Sequence, residues 1–135
     1  MLDSTACIDF LNGKNEIMNV LRQSPSLLCV TTISIYEVSI GLERTKRKQS
    51  GKRYNQLNKD WLEFLSTVQH LSLDQRSAEL AARVFNDLES KGIRIDDNDI
   101  LICGIMKANG IGKIITRNAG HFSKVNDIEV LGYSI

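Results

Sequence analysis

The hydrophobic and polar positions alternate between two periods along the chain. Leu27-Leu28-Cys29-Val30-Thr31 is a continuous apolar run of strand length, the pattern of a strand buried on both faces of a parallel sheet. Lys113-Ile114-Ile115-Thr116 and Glu129-Val130-Leu131 predict two late strands on either side of an irregular Asn118-Ala119-Gly120 turn. Met1 to Asp3 reads as a short first strand, and His70 to Leu73 as a weak one. Between them the spacing becomes helical. Ala6 to Leu11 is an apolar helix closed by Asn12-Gly13, and Asn15 to Gln23 carries Ile17, Val20 and Leu21 on one face before Ser24-Pro25 stops it. Ser34 to about Lys48 has Ile35, Val38 and Leu42 at helical spacing, and Tyr54 to Val68 has Leu57, Trp61, Leu62 and Leu65. These two helices, joined by a polar, basic connection, read as an excursion away from the sheet. Ser77 to Lys91 is amphipathic on Leu80, Ala81, Val84 and Leu88 and ends at Gly92; Ile100 to Ala108 is apolar almost all round and predicts a buried helix. Strand and helix in repeated alternation, with no internal repeat, predict an α/β domain with a mainly parallel sheet and a functional crevice at the carboxyl ends of its strands.

The 135 residues fit one domain. With 42% hydrophobic residues, 24% charged residues and a single proline, a disordered tail or low-complexity linker is excluded. No apolar run approaches the roughly 20 residues of a membrane span, and Asp3 stands where a signal peptide would need a cationic start. A soluble, cytoplasmic protein is expected. Cys7, Cys29 and Cys103 are widely spaced among apolar neighbours, without a second ligand at zinc spacing, and read as buried reduced thiols.

Acidic residues fall at the strand ends and inside apolar stretches. Asp3 closes the first strand, where it can serve chemistry or cap the following helix. Glu37 shares a helix face with Ile33 and Gly41, so it needs a cation or hydrogen-bond donors; alternatively Ser34-x-x-Glu37 is a capping box. Asp96-Asp97-Asn98-Asp99 precedes the buried helix. Acids there complement the helix dipole, yet three in four residues exceed what one cap needs. A helix starting at Asp97 or Asn98 would project Asp99 from its first turn with Asp96 on the same side, a geometry suited to a hard cation.

Together, Leu2-Asp3-Ser4, Glu37-x-x-x-Gly41, Asn98-Asp99-Ile100-Leu101-Ile102-Cys103 and Thr116-Arg117-Asn118-x-x-His121-Phe122 resemble the PIN-domain ribonucleases, particularly the VapC-type toxins. The resemblance spans essentially the whole chain. It implies a single PIN domain over residues 1–135, a three-layer α/β/α sandwich, and a Mg²⁺- or Mn²⁺-dependent endoribonuclease. Carried over by position, Asp3, Glu37 and Asp99 match the family acids, and Asn118 stands where a fourth acid is frequent. An amide adds no charge there, so one strongly held metal ion is expected, on Asp3 and Asp99. Asp96 becomes an auxiliary ligand, Ser4 and Thr116 hydroxyl partners of the carboxylates or of substrate phosphate, and His121 a residue packed beside Phe122. In the implied reaction Glu37 positions a water or accepts its proton, and in-line attack leaves a 5′-phosphate and a 3′-hydroxyl. The resemblance also implies a small cognate antitoxin and a homodimer. The contrasting readings are a PIN nuclease working without an antitoxin in RNA processing or decay, and a non-catalytic interaction module.

Charge then changes the picture. The net charge is +1, but Arg44, Lys46, Arg47, Lys48, Lys52 and Arg53 lie within ten residues that hold no acid, and without that stretch the balance is −5. The stretch is either a solvated helix end or a grip for substrate phosphate. Helix rise places Arg44 about 10 Å along the axis from Glu37.

Overall fold

The computed structural model describes residues 1–24, 27–49 and 51–135. Four strands and seven helices follow one another as α1 (Ser4–Leu11), α2 (Asn15–Arg22), β1 (Cys29–Thr31), α3 (Thr32–Lys48), α4 (Gly51–Leu65), β2 (Gln69–Leu71), α5 (Gln75–Ser90), α6 (Asp97–Ala108), β3 (Lys113–Thr116), α7 (Ala119–Phe122) and β4 (Glu129–Gly132). Pro25, the expected stop of α2, lies outside the described residues.

β1 pairs in parallel with β2, Val30 opposite His70, and β3 pairs in parallel with β4, Ile114 opposite Val130. Met1–Asp3 runs between these two ribbons. Leu2 forms a parallel bridge to Ile115. Leu2 N–H donates to the Cys29 carbonyl at 2.9 Å, Asp3 N–H to Ile115 at 3.1 Å, and Ile115 N–H to Met1 at 2.8 Å. The predicted first strand is therefore the seam that joins the ribbons into one parallel surface.

Successive strand residues face opposite sides, which divides the core in two. Cys29, Leu71 and Ile114 pack with Ala81, Val84 and Leu88 of α5, Ile102, Ile105 and Met106 of α6, and Phe122 of α7. Leu2, Val30 and Ile115 pack with Ala6 and Cys7 of α1, Ile17 of α2, Val38 and Leu42 of α3, and Leu57, Trp61 and Phe64 of α4. Helices thus cover both faces, in the α/β/α arrangement expected. All three cysteines are free and buried. Among the described residues, no helix is long and apolar enough to cross a membrane.

Two expectations are corrected. α3 and α4 are no excursion: their apolar faces are buried on the sheet with Val30 and Ile115. On α4 that face is Leu57, Trp61 and Phe64, whereas Leu62 points to solvent, because a residue five positions beyond Leu57 is rotated off the stripe. On the opposite face α5 and α6 meet at Gly104, where a Cβ would fall 2.3 Å from the Ser77 carbonyl oxygen and 2.6 Å from the Ala81 Cβ. Only glycine permits that approach, and it fixes the height of α6 and hence of the acids at its start.

Candidate active site

Three adjacent strand ends finish in buried polar residues: Thr31, Asp3 and Thr116, none more than 1% exposed. Each has its polar atoms satisfied locally, as burial requires. Thr31 caps α3, its hydroxyl oxygen accepting from Ser34 N–H at 3.1 Å. Asp3 caps α1, Oδ1 accepting from Ala6 N–H at 2.9 Å and from the Thr5 hydroxyl at 2.8 Å. The other carboxylate oxygen, Oδ2, accepts from the Thr116 hydroxyl at 2.5 Å. Capping and site placement, the two readings of Asp3, are thus compatible, one for each oxygen. Burial pushes the Asp3 carboxyl up to about 6, more than its hydrogen bonds offset.

Glu37 lies one helical turn beyond the position a capping box requires. The cap of α3 is Thr31, which makes Ser34 its third residue. The capping-box reading therefore fails, and Glu37 turns instead to α1: the Ser4 hydroxyl donates to Glu37 Oε1 at 2.6 Å and is hydrogen-bonded to Ser34 Oγ at 3.0 Å. One carboxylate oxygen is held, which fixes the direction of the other.

The third group comes from the start of α6. Asp96 occupies the N-cap position, but its side chain makes no cap hydrogen bond. Asp97 begins the helix, and Asp99 projects from the first turn into a buried position. A ligand atom from each of Asp96, Asp99 and His121 lies within 4.8 Å of the other two, and His121 Nδ1 is 2.7 Å from Asp99 Oδ2. Asp3 and Glu37 stand outside this triangle, yet their charges reach it. Asp99 is raised above the ordinary aspartate value mainly by burial, with the Asp96 and Glu37 charges adding to the effect and His121 opposing it. Asp99 in turn raises Asp3.

His121 corrects the expectation that it packs beside Phe122. The residues 118–120 form no irregular turn: Asn118 caps a short helix, α7. Neighbours on a helix point about 100° apart, so Phe122 enters the core while His121 faces the acids. Its helical spacing from Asn118 was the available signal, hidden by reading the segment as a turn. Asn118 itself is tied in through its backbone, its N–H donating to Thr116 Oγ1 at 2.8 Å. Next to it, Arg117 N–H donates to Thr5 Oγ1 at 3.0 Å, and its guanidinium reaches the buried Asp9 at 3.3 Å. These contacts fasten the end of β3 to α1.

The basic stretch is exposed throughout α3's last turns. Helix rotation divides it. Arg44 and Lys48, seven and eleven residues beyond Glu37, return to the Glu37 face. Lys46, nine beyond, lies on the opposite side, where its ammonium sits 5.3 Å from the Tyr54 ring centroid. Arg47 lies between the two directions. Helix phase therefore puts Arg44 and Lys48 on the Glu37 face of α3 and Lys46 on the opposite one.

None of Asp3, Glu37, Asp96 and Asp99 forms an ion pair with lysine or arginine among the described residues. Asp3 and Asp99 are buried, and the Asp99 charge raises Asp3, so the pair needs a counter-charge when ionised. Oxygen donors with one nearby imidazole fit a hard divalent cation of the Mg²⁺ or Mn²⁺ kind.

The family model of the PIN domain matches residues 1–128. Among solved structures, VapBC2 of Rickettsia felis bound to a fragment of its promoter DNA superposes with a TM-score of 0.83 at 20% identity, covering 99% of this chain and 98% of that one. DNA-bound VapBC of Salmonella typhimurium gives 0.79 at 23%, covering 98% and 96%. VapC20 of Mycobacterium tuberculosis, a toxin that cleaves the sarcin–ricin loop, gives 0.65 at 10%, covering 95% and 97%. At such identities the likeness is one of fold. Curated protein sequences yield no match.

Proposed function

The chain belongs to the PIN-domain family, and from that premise we propose that it is a divalent-metal-dependent endoribonuclease, the toxin of a toxin–antitoxin pair. The observation that carries this reading is that Asp99 lies close enough to Asp3 and to Glu37 for their charges to interact, although the three come from distant segments, and that each carboxylate is oriented by a neighbouring hydroxyl or imidazole.

Asp3 and Asp99 would hold the ion, with Asp96 and His121 beside Asp99. A bound divalent ion would offset charge developing on the scissile phosphate and acidify a water in its shell. Ser4 leaves Glu37 one carboxylate oxygen free to orient the attacking water and accept its proton. Attack forms a new P–O bond as the P–O3′ bond breaks, leaving a 5′-phosphate, with a proton from solvent completing the 3′-hydroxyl. Arg44 and Lys48 would hold flanking phosphates on the Glu37 side. Asn118 contributes no charge, which supports one strongly held ion.

The similar folds include a toxin–antitoxin complex and a member of the VapBC toxin–antitoxin systems, which supports a small protein partner that blocks the site. Purified protein is expected to cut single-stranded RNA with Mg²⁺ or Mn²⁺ and to stop on chelation. Asp99→Asn should lower the rate on the order of a hundredfold or more with the unfolding midpoint retained. An Asp99→Asn protein as fast as the parent would refute the assignment. Expression of the chain alone should arrest growth, and uninhibited growth would remove the toxin role.

A further inference from the structure

Beyond His121 the site continues into a cavity of about 560 Å³ whose chemistry the acids do not explain. Asp96 and His121 of the carboxylate cluster line it, together with Asp97, Phe85 of α5, and Arg94 and Ile95 of the α5–α6 connection, so it adjoins the cluster directly. Phe85 is 46% exposed, although it sits beside the buried face of α5 formed by Ala81, Val84 and Leu88. Phe85 also lines a second cavity, of about 230 Å³, which shares Arg94 and Ile95 with the first. Among the described residues Phe85 has no aromatic partner, and Arg94 has no ion pair in spite of Asp96 and Asp97 close by in the chain.

An exposed ring beside an unpaired guanidinium is the combination that takes a base and a phosphate of single-stranded nucleic acid, the base by stacking and the phosphate by a forked hydrogen bond. The volume falls in the range of small-molecule sites, about 300–1,000 Å³. Continuity with the cluster through Asp96 and His121 decides the occupant. A phosphate poised at the carboxylates has its adjoining nucleoside within reach of this cavity. The basic face of α3, on the Glu37 side, would carry the strand away in the other direction.

We propose that the Phe85–Arg94 cavity receives the nucleobase adjoining the scissile phosphate, Phe85 stacking on its face and Arg94 holding the next phosphate, so that this cavity selects the nucleotide at the cleavage site. The proposal rests on the endoribonuclease reading. It separates the work of the site: the carboxylates cut any phosphodiester presented to them, and the ring and guanidinium determine which one is presented.

The test combines variants with an abasic nucleotide walked along a short single-stranded RNA. Phe85→Ala should raise KM about tenfold, the effect of losing one base–aromatic stack, with a smaller change in kcat. Phe85→Trp should restore it. One abasic position beside the cleaved bond should cause the same rise, and combining it with Phe85→Ala should add nothing further. Trp61 is buried, so Phe85→Trp also places a reporter on the surface, and its fluorescence should be quenched by the intact RNA and not by the abasic one. Unchanged KM and site preference in Phe85→Ala, losses that multiply, or a Trp signal indifferent to RNA would each overturn the proposal. A Phe85→Ala protein that cleaves normally but changes its oligomeric state would assign the face to a second copy of the chain instead. Absence of metal-dependent cleavage by the parent protein would refute the nuclease reading alone, since the fluorescence titration does not depend on turnover.

Discussion

The Thr116 hydroxyl donates to Asp3 Oδ2 at 2.5 Å, joining residues 113 positions apart at the ends of neighbouring strands. Thr116 Oγ1 also accepts from Asn118 N–H, so one hydroxyl connects the first acid to the segment that carries His121. Thr116→Val keeps the shape and removes the donor. A hydrogen bond to a buried carboxylate contributes about 2 kcal/mol. We expect a loss of that order in urea denaturation together with weaker Mn²⁺ binding, and recovery of both in Thr116→Ser. A Thr116→Val protein equal to the parent in both would show that the bond does not hold Asp3.

His121 is expected to act through Asp99. Its bond to Oδ2 sets the direction in which Oδ1 points, and loss of such an orienting partner commonly weakens metal binding about 10- to 100-fold. Calorimetric titration of His121→Ala with Mn²⁺ should show a drop within that range. Thermal unfolding should change little, because the imidazole is partly exposed and outside the core. A parental Mn²⁺ affinity would exclude the positioning role.

The pH dependence of stability has a definite sign. In metal-free protein the Asp3 carboxyl titrates near 6, against 3.8 for an exposed aspartate, because burial disfavours its charged form. A folded-state value above the unfolded one means that the contribution is complete below about pH 4 and is lost as pH rises through 6. Asp99 is shifted in the same direction. In chelator, Asp3→Asn should therefore gain stability relative to the parent between pH 4 and pH 7, by on the order of 3 kcal/mol. Added divalent ion should stabilise the parent at pH 7 and leave Asp3→Asn nearly unaffected. A difference between the two proteins that is flat with pH would contradict the burial argument.

Much of the candidate site is legible in the sequence; the rest depends on tertiary contacts and on elements too short to show a period. Asp3, Glu37 and Asp99 stood out as charges in apolar surroundings, a pattern that survives the lack of any tertiary information. The alternatives for Asp3 and Glu37 cannot be separated by sequence, because cap and site use the same residue types; the capping box at Glu37 is excluded only by the structure, where Thr31 caps α3 and Glu37 turns to Ser4. Asp96 likewise occupies a cap position without capping. Apolar period alone misses polar first turns: α3 begins at Thr32 rather than Ser34, whereas the start of α6 at Asp97 is one of the two that its acids offer. His121 was lost because a four-residue helix is too short to show one. The basic stretch was legible as charge and not as direction, which needs the helix phase that separates Arg44 from Lys46.

That phase gives a comparison between two like substitutions. Arg44→Glu, on the Glu37 face, should weaken RNA binding and reduce its salt dependence by about one phosphate contact. Lys46→Glu, on the opposite face over Tyr54, should do neither to the same degree. Filter binding of a nuclease-inactive Asp99→Asn background across a salt series measures both. Equal slopes for the two variants would mean that the stretch acts as diffuse charge and not as an oriented grip.

Carboxylates from three distant segments are proposed to form one metal-dependent site. Anomalous diffraction from crystals soaked in Mn²⁺ tests it most directly. A single strong peak shared by Asp3 and Asp99 is expected, with His121 retained on Asp99. A peak confined to Asp96, Asp99 and His121 without Asp3, or no ordered Mn²⁺ at these carboxylates, would contradict it.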